Sequence, residues 1–319
     1  MRTNQEYMKY ADWLVQWLDI YVRPTVKQRT FEHYRDIALK KIVPRLGDYP
    51  LEALSPTVLQ AFAAELCKRY AVNTVLGIIS VLKNSLKTAH GTGVIDREYS
   101  CSIKMPKACE KEISCFSVGE QKKIEQAVLK SKKDRLFGIV LCLYTGLRVG
   151  ELMALKWEDI DFPRGVLSVN KTCRDCWNNG RYIRRLDTPK TLSSKRMIPI
   201  PKQLVPRLRA VKTRSRSAFF ISGKDGKDVP LGSYQKTFER LLRRENIPHK
   251  GFHALRHTFA TRAIECGMDV KTLSEILGHK NAAITLNRYA HSLLEHKQDM
   301  MNRLGKLLQQ KSAGALEQR

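Results

Sequence analysis

The sequence predicts a mainly α protein of two domains, the second carrying one small antiparallel sheet. Three observations predict it. Through the first hundred residues, apolar positions recur at intervals of three and four, the spacing of a helix with one buried stripe. Residues 97–114 break that rhythm. Beyond them, a second helical block is interrupted by three short β-like runs set off by Gly, Asn and Pro. At 319 residues the chain is long enough to bury two cores of ordinary size.

The elements follow in order. YADWLVQWLDIYV makes a first helix, and TFEHYRDIALKKIVPRL a second. The second is expected to stop near Pro44, whose ring and missing N–H break an α-helix. SPTVLQAFAAELCKRY opens with Ser55 as N-cap and Pro56 at the first helical position. NTVLGIISVLKNSLKTAHGTG then runs to the stop signals Gly91 and Gly93. Together these form an all-α domain over residues 1–96. The stretch 97–114 contains Pro106 and several basic residues, and reads as an extended interdomain linker.

The second domain, 115–291, begins at SVGEQKKIEQAV, where Ser117 and Glu120 have capping-box spacing. LFGIVLCLYTG and VGELMALKW read as helical, then GVLSVN, RYIRRLD and RMIPIP as strands. FERLLRREN, HTFATRAIECG, VKTLSEILG and AAITLNRYA return to the helical pattern. In the tail, 292–319, Leu293, Leu294, Met300, Met301, Leu304, Leu307 and Leu308 bunch on one side of an amphipathic segment. That is more apolar surface than a solvated end needs, so the tail is expected to dock on a neighbouring protomer. No internal repeat is visible. A Rossmann arrangement is disfavoured, because the loops carry no glycine-rich phosphate cradle.

Composition narrows the partner. Lys and Arg number 57 against 31 Asp and Glu, a formal charge of +26. Such an excess points to a polyanion. A membrane is the weaker choice. No apolar run approaches the roughly 20 residues of a spanning helix, the start MRTNQEYMKYADW lacks an apolar signal core, and the basic residues are scattered. Nucleic acid is the expected partner. The 8 cysteines, with no secretory signal, read as reduced intracellular thiols. Cys173 and Cys176 form a lone CxxC, whereas zinc sites usually take four ligands. The pair is expected at a hairpin tip instead.

The candidate chemistry lies in four stretches. FHALRHTFAT puts His253 and Arg256 three apart on one helical face. LGHKNAAITLNRYAH supplies His279 and Tyr289, TGLRVGEL supplies Arg148 with Glu151 one turn on, and TPKTLSSKR supplies Lys190. An acid cluster of the kind that holds divalent ions is missing. Glu158, Asp159 and Asp161 share one local turn and read as helix-end chemistry. His253 and His257 have the i,i+4 spacing of a zinc hydrolase, but Ala254 stands where its base would be. The set suits metal-free phosphoryl transfer. Arginine forks match the nonbridging oxygens of a phosphodiester. A tyrosine hydroxyl can attack phosphorus once a base takes its proton, and a lysine can protonate the leaving 5′-oxygen.

In the order and spacing of these stretches the sequence resembles the tyrosine recombinases of the phage-integrase family. The resemblance implies a SAM-like core-site-binding domain followed by a catalytic domain of the DNA breaking-rejoining fold, closing together on duplex DNA. It implies that Tyr289 is the nucleophile of a 3′-phosphotyrosyl intermediate, that Arg148 and Arg256 clamp the scissile phosphate, and that Lys190 is the general acid. His253 would be a general base or phosphate contact, His279 a phosphate hydrogen-bond donor, and Glu151 the support of Arg148. Lys195 is the rival lysine, and His257 is expected to pack within the domain. The implied partners are double-stranded DNA carrying recombination sites, three further copies of the chain in a homotetramer, and accessory DNA-bending or directionality factors. No cofactor, metal or membrane is implied, and the implied place is the cytoplasm, beside the nucleoid. Many integrases of mobile elements carry a further amino-terminal domain for distal arm sites. Here the helical pattern begins within the first ten residues, which leaves no room for that domain. Either the chain is a member of the simpler two-domain group, or it is truncated. Two alternatives stay open: a type IB topoisomerase without site preference, and a DNA-binding regulator with a vestigial site.

Overall fold

The structure is a computed structural model describing residues 7–98, 103–105, 114–178, 181–187, 195–279 and, in the tail, 298, 301, 302 and 304–306. The chain divides into two compact units, Met1–Lys111 and Glu112–Arg319.

In the first unit α1 (Tyr10–Trp17) runs into a π turn, Leu18–Val22. α2 (Gln28–Ile37) runs through a second π turn, Ala38–Ile42, into α3 (Val43–Leu46). α4 (Pro56–Arg69) and α5 (Val72–Gly91) complete the unit. The spacing of Tyr10, Trp13, Leu14 and Trp17 puts a mostly aromatic stripe against α5. Their polar ends are satisfied there. Tyr10 Oη lies 2.6 Å from Ser85 Oγ, Trp13 Nε1 donates to Ser85 O at 3.2 Å, and Trp17 Nε1 donates to Thr88 Oγ1 at 3.1 Å. A buried Tyr or Trp stabilises a core when its polar atom finds such a partner. Ser55 caps α4 as expected, accepting from Val58 N.

The second helical stretch stops near Pro44, as expected, at Leu46, but it is not broken by Pro44 itself. The π turn just before it replaces the i→i−4 bond with a wider one, Val43 N–H reaching back to Ala38 O. Pro44 then falls in the first turn of α3, where no N–H is needed. Within the stretch read as linker, Ile103 is buried in the core of this unit. Lys104 exchanges two hydrogen bonds with the Gln60 side chain on α4, at 2.9 and 3.3 Å.

The second unit opens with α6 (Val118–Leu129), whose Ser117–Glu120 capping box is formed. α7 (Phe137–Thr145) is buried almost all round and forms the axis of the core. α8 (Val149–Ala154) follows, then β1 (Ile160–Asp161), β2 (Val166–Val169), β3 (Thr172–Asn178), β4 (Arg181–Asp187) and β5 (Arg196–Pro199). α9 (Val205–Arg214), α10 (Leu231–Arg244), α11 (His253–Glu265) and α12 (Val270–Leu277) close the described part. Ile139, Leu141, Leu152, Tyr234, Phe238 and Leu255 meet in its core.

Two small antiparallel sheets are present where one was expected. β1-β2-β5 form one, with Leu167 opposite Ile198, and β3-β4 form a separate ribbon with Cys173 opposite Leu186. β1 and β5 occupy both edges of β2, while β3 and β4 pair with each other. The CxxC pair is therefore not at a hairpin tip but within β3. Positions three apart in a strand face opposite sides, and Cys173 is buried while Cys176 is only half-buried. One metal ion between them would need the strand to break. Asp159 and Asp161 bond to the backbone N–H groups of Lys156 and Arg164, as turn acids do. No helix among the described residues is long and apolar enough to cross a membrane.

Candidate active site

Two left-handed glycines shape the site. α7 ends at Gly146, φ 64°, and α12 ends at Gly278, also φ 64°. An L side chain is strained at that φ, so glycine is the residue that lets both helices stop abruptly. After Gly146 the chain turns at once into α8, with buried Leu147 anchoring the turn and Arg148 at the N-cap. Glu151, at the third position of α8, accepts the Arg148 backbone N–H at 2.9 Å and its Nη1 at 2.8 Å. Local helix-start chemistry thus aims the first arginine.

The end of α12 organises the rest. The last carbonyls of a helix lack intrahelical partners and carry its negative dipole end, so they attract cations. Here three successive carbonyls take three arginines. Arg196 Nε donates to Ile276 O at 2.5 Å, Arg256 Nη2 to Leu277 O at 2.6 Å, and Arg148 Nη2 to Gly278 O at a long 3.5 Å. Arg256, buried on α11, also donates through Nη1 to Gly146 O at 2.8 Å. Its Nη2 lies 3.0 Å from His279 Nε2. A guanidinium can only donate, so in this pair Nε2 accepts and the imidazole proton sits on Nδ1.

Arg148, Glu151, Arg256 and His279, far apart in sequence, are thereby brought together. His253 stands one turn ahead of Arg256 on α11, exposed, its ring edge-on to His257 at 4.6 Å. Arg262 turns away and donates to Phe116 O at 3.1 Å and to Glu265. Lys195 is described and exposed at the start of β5. Lys190 and Tyr289 lie outside the described residues.

Sequence reasoning missed Arg196. Its Nη1 and Nη2 reach the two oxygens of Glu151 at 3.0 and 2.9 Å, and its side chain is 6 % exposed. A signal was available in the alternation of β5. Ile198 and Ile200 are buried, and a strand puts residue 196 on their face. Burial by itself would raise the Glu151 carboxyl, but Arg196, then Arg148 and its backbone N–H, hold it down at about 2. Beneath the site, burial pushes the Cys142 thiol well up, so it stays protonated. The result is two guanidiniums on one carboxylate with a third, Arg256, on the neighbouring helix end, and Arg148 is the more exposed of the two Glu151 partners at 37 %. Such a basin suits an anion with more than one oxygen to bind.

Comparison with known proteins gives a consistent picture. The phage integrase family matches residues 119–296, and the phage integrase N-terminal SAM-like domain matches residues 9–67. A tyrosine recombinase XerC-like protein of Caldanaerobacter subterraneus is 36% identical over 218 residues, which is 62% of this chain and 55% of that protein. The transposase from transposon Tn916 of Enterococcus faecalis is 27% identical over 316 residues, 90% of this chain and 76% of that protein. Among solved structures, the Tn1549 transposon integrase in complex with a circular intermediate DNA superposes with a TM-score of 0.77 at 25% identity. That match covers 93% of this chain and 99% of the other.

Proposed function

The chain belongs to the phage integrase family, and on that premise we propose that it is a site-specific DNA recombinase acting through a 3′-phosphotyrosyl intermediate. The observation that carries the reading is the convergence of Arg148, Arg256 and His279 on the glycine-ended turns of α7 and α12. Two guanidiniums and an imidazole, from three elements, come together there, a grouping that suits a phosphodiester.

In this reading Arg148 and Arg256 bind the nonbridging oxygens, whose charge grows as phosphorus is attacked, and His279 adds a hydrogen bond. The Tyr289 hydroxyl attacks phosphorus while His253 takes its proton. The bond to the 5′-oxygen breaks, Lys190 protonates that oxygen, and a free 5′-hydroxyl leaves. A 5′-hydroxyl from another strand then attacks the phosphotyrosine, and the same groups run in reverse. One phosphodiester is exchanged for another, so neither ATP nor a metal ion has a step to perform. Lys190, Tyr289 and His253 enter through their motif positions, and Arg148, Arg256 and His279 also through the geometry above.

The substrate in this reading is duplex DNA, with phosphate contacts supplying salt-dependent affinity. The reaction is integration or excision of a mobile element, carried out by a homotetramer on two sites, assisted by DNA-bending or directionality factors. The working place is the cytoplasm at the nucleoid. The experiment uses a DNA site nicked just beyond the cleavage point, so that the cut fragment diffuses away. Wild type is expected to give a covalent adduct on a denaturing gel, unchanged by EDTA, and Tyr289→Phe none. Absence of any adduct on DNA that the protein binds would favour a regulator. Relaxation of plasmid lacking a specific site would favour a topoisomerase.

A further inference from the structure

Arg196 has no part in the chemistry above, yet it is a buried charge at the centre of the site. Its fork spans both oxygens of Glu151, and its Nε caps Ile276 O at the end of α12. It therefore touches the carboxylate that aims Arg148 and the helix end that receives Arg256 and carries His279. The charge balance is as telling as the geometry. A lone Glu151–Arg148 pair would be neutral and would hold the arginine's charge to itself. Two guanidiniums on one carboxylate leave one net positive charge. The exposed member of the three is Arg148, 37 % against 6 % for Arg196 and 7 % for Glu151.

We propose that Arg196 is a positioning residue of the strand-cleavage centre: it neutralises and orients Glu151 so that Arg148 keeps its charge and direction for the scissile phosphate. This rests on the reading of Arg148 as a phosphate ligand. Lysine cannot do the same, because a point charge cannot span both carboxylate oxygens and a backbone carbonyl at once. Arg196 also opens β5, a few residues after Lys190 in the sequence. The same side chain thus ties the start of that strand to the end of α12.

The test is single-turnover adduct formation on a nicked duplex carrying a site recovered by binding selection from random sequence. Two versions are used: the ordinary phosphodiester, and a methylphosphonate at the scissile position, which replaces one charged nonbridging oxygen by methyl. On the ordinary substrate Arg196→Gln is expected to slow cleavage by about 100-fold, as loss of an aligned anion-stabilising donor does, with DNA binding within a few-fold of wild type. Arg196→Lys is expected to recover little of it. Combining Arg196→Gln with Arg148→Ala should add no further loss. On the methylphosphonate both single defects should shrink together, because the charge that Arg148 answers is gone. A defect in Arg196→Gln that persists in full on the methylphosphonate, or adds in full to Arg148→Ala, overturns the proposal.

Should Arg196→Gln not fold, Glu151→Gln combined with Arg196→Met removes both charges while keeping volume, which a buried pair tolerates. That variant should show the same methylphosphonate rescue. Wild-type rates on ordinary DNA from it, or failure of both variants to fold, overturn the positioning role. If wild type itself forms no adduct, the recombinase reading fails instead.

Discussion

Glu151 shares its two oxygens between the guanidiniums of Arg148 and Arg196 and the backbone N–H of Arg148. Its carboxyl lies at about 2 in the folded chain against an ordinary 4.5. A depressed carboxyl contributes stability that is fully present above its unfolded value and is lost as pH falls through the folded one. The expected contribution is about 3 kcal/mol, disappearing between roughly pH 4.5 and 2. Urea denaturation across that range should show it, and Glu151→Gln should flatten the profile. At neutral pH the same substitution leaves Arg196 buried without its anion, and is expected to cost roughly 3–5 kcal/mol. A stability profile identical in the two proteins would refute the account. Of the site residues, Arg148, Glu151, Arg256 and His279 were legible because each sits in a motif with local spacing. Arg196 was overlooked because a basic residue beside a turn reads as solvated, and only the alternation of β5 signals otherwise.

At the scale of elements, the abrupt ends of α7 and α12 matter most. A Cβ on Gly146 would sit at φ 64° and only 2.5 Å from Phe259 Cδ1. Gly146→Ala should therefore cost about 1–2 kcal/mol in backbone strain and a further ~1–3 kcal/mol in overpacking. It should also slow adduct formation, since Gly146 O holds Arg256. Unchanged melting and cleavage would show that the turn is not the constraint described. Most helices were readable from periodicity, caps and glycine stops. β3 was not, because TCRDCWN has no alternation. Its Asp175 is spent on capping α10, accepting from Leu231 N and Gly232 N at 2.6 and 3.0 Å, and Arg174 pairs across the ribbon with Asp187. α9 was also missed. Its buried stripe is just Leu208 and Val211 within a basic helix, too little apolar signal for a pattern to register. The π turns escaped because they change hydrogen-bond register without changing composition.

For the whole molecule, the charge of +26 and a site that gathers three arginines point the same way, toward a phosphate polymer. Assembly is a separate question, and the tail bears on it. Met301 and Leu304 are 65 and 47 % exposed, as a segment seeking an apolar partner would be. Truncation after residue 292 is expected to leave binding to a single DNA site intact while abolishing the tetramer on paired sites, read by light scattering and native gels. A full-strength tetramer from the truncated chain would refute that role. Periodicity and motif order were enough to determine the class of fold and to nominate Arg148, Glu151, Arg256 and His279, which the structure brings together, while charge pointed to a polyanion. Each is a property of neighbours along the chain, or of their sum. Which guanidinium meets which oxygen was decided by tertiary structure alone. Arg148 and Gly278 are 130 positions apart, Arg256 and Gly146 110, and Arg196 and Glu151 45. No local pattern encodes such pairings. They arise when the packing of α7, α8, β5, α11 and α12 brings one helix end, with its unsatisfied carbonyls, within reach of three buried or half-buried cations.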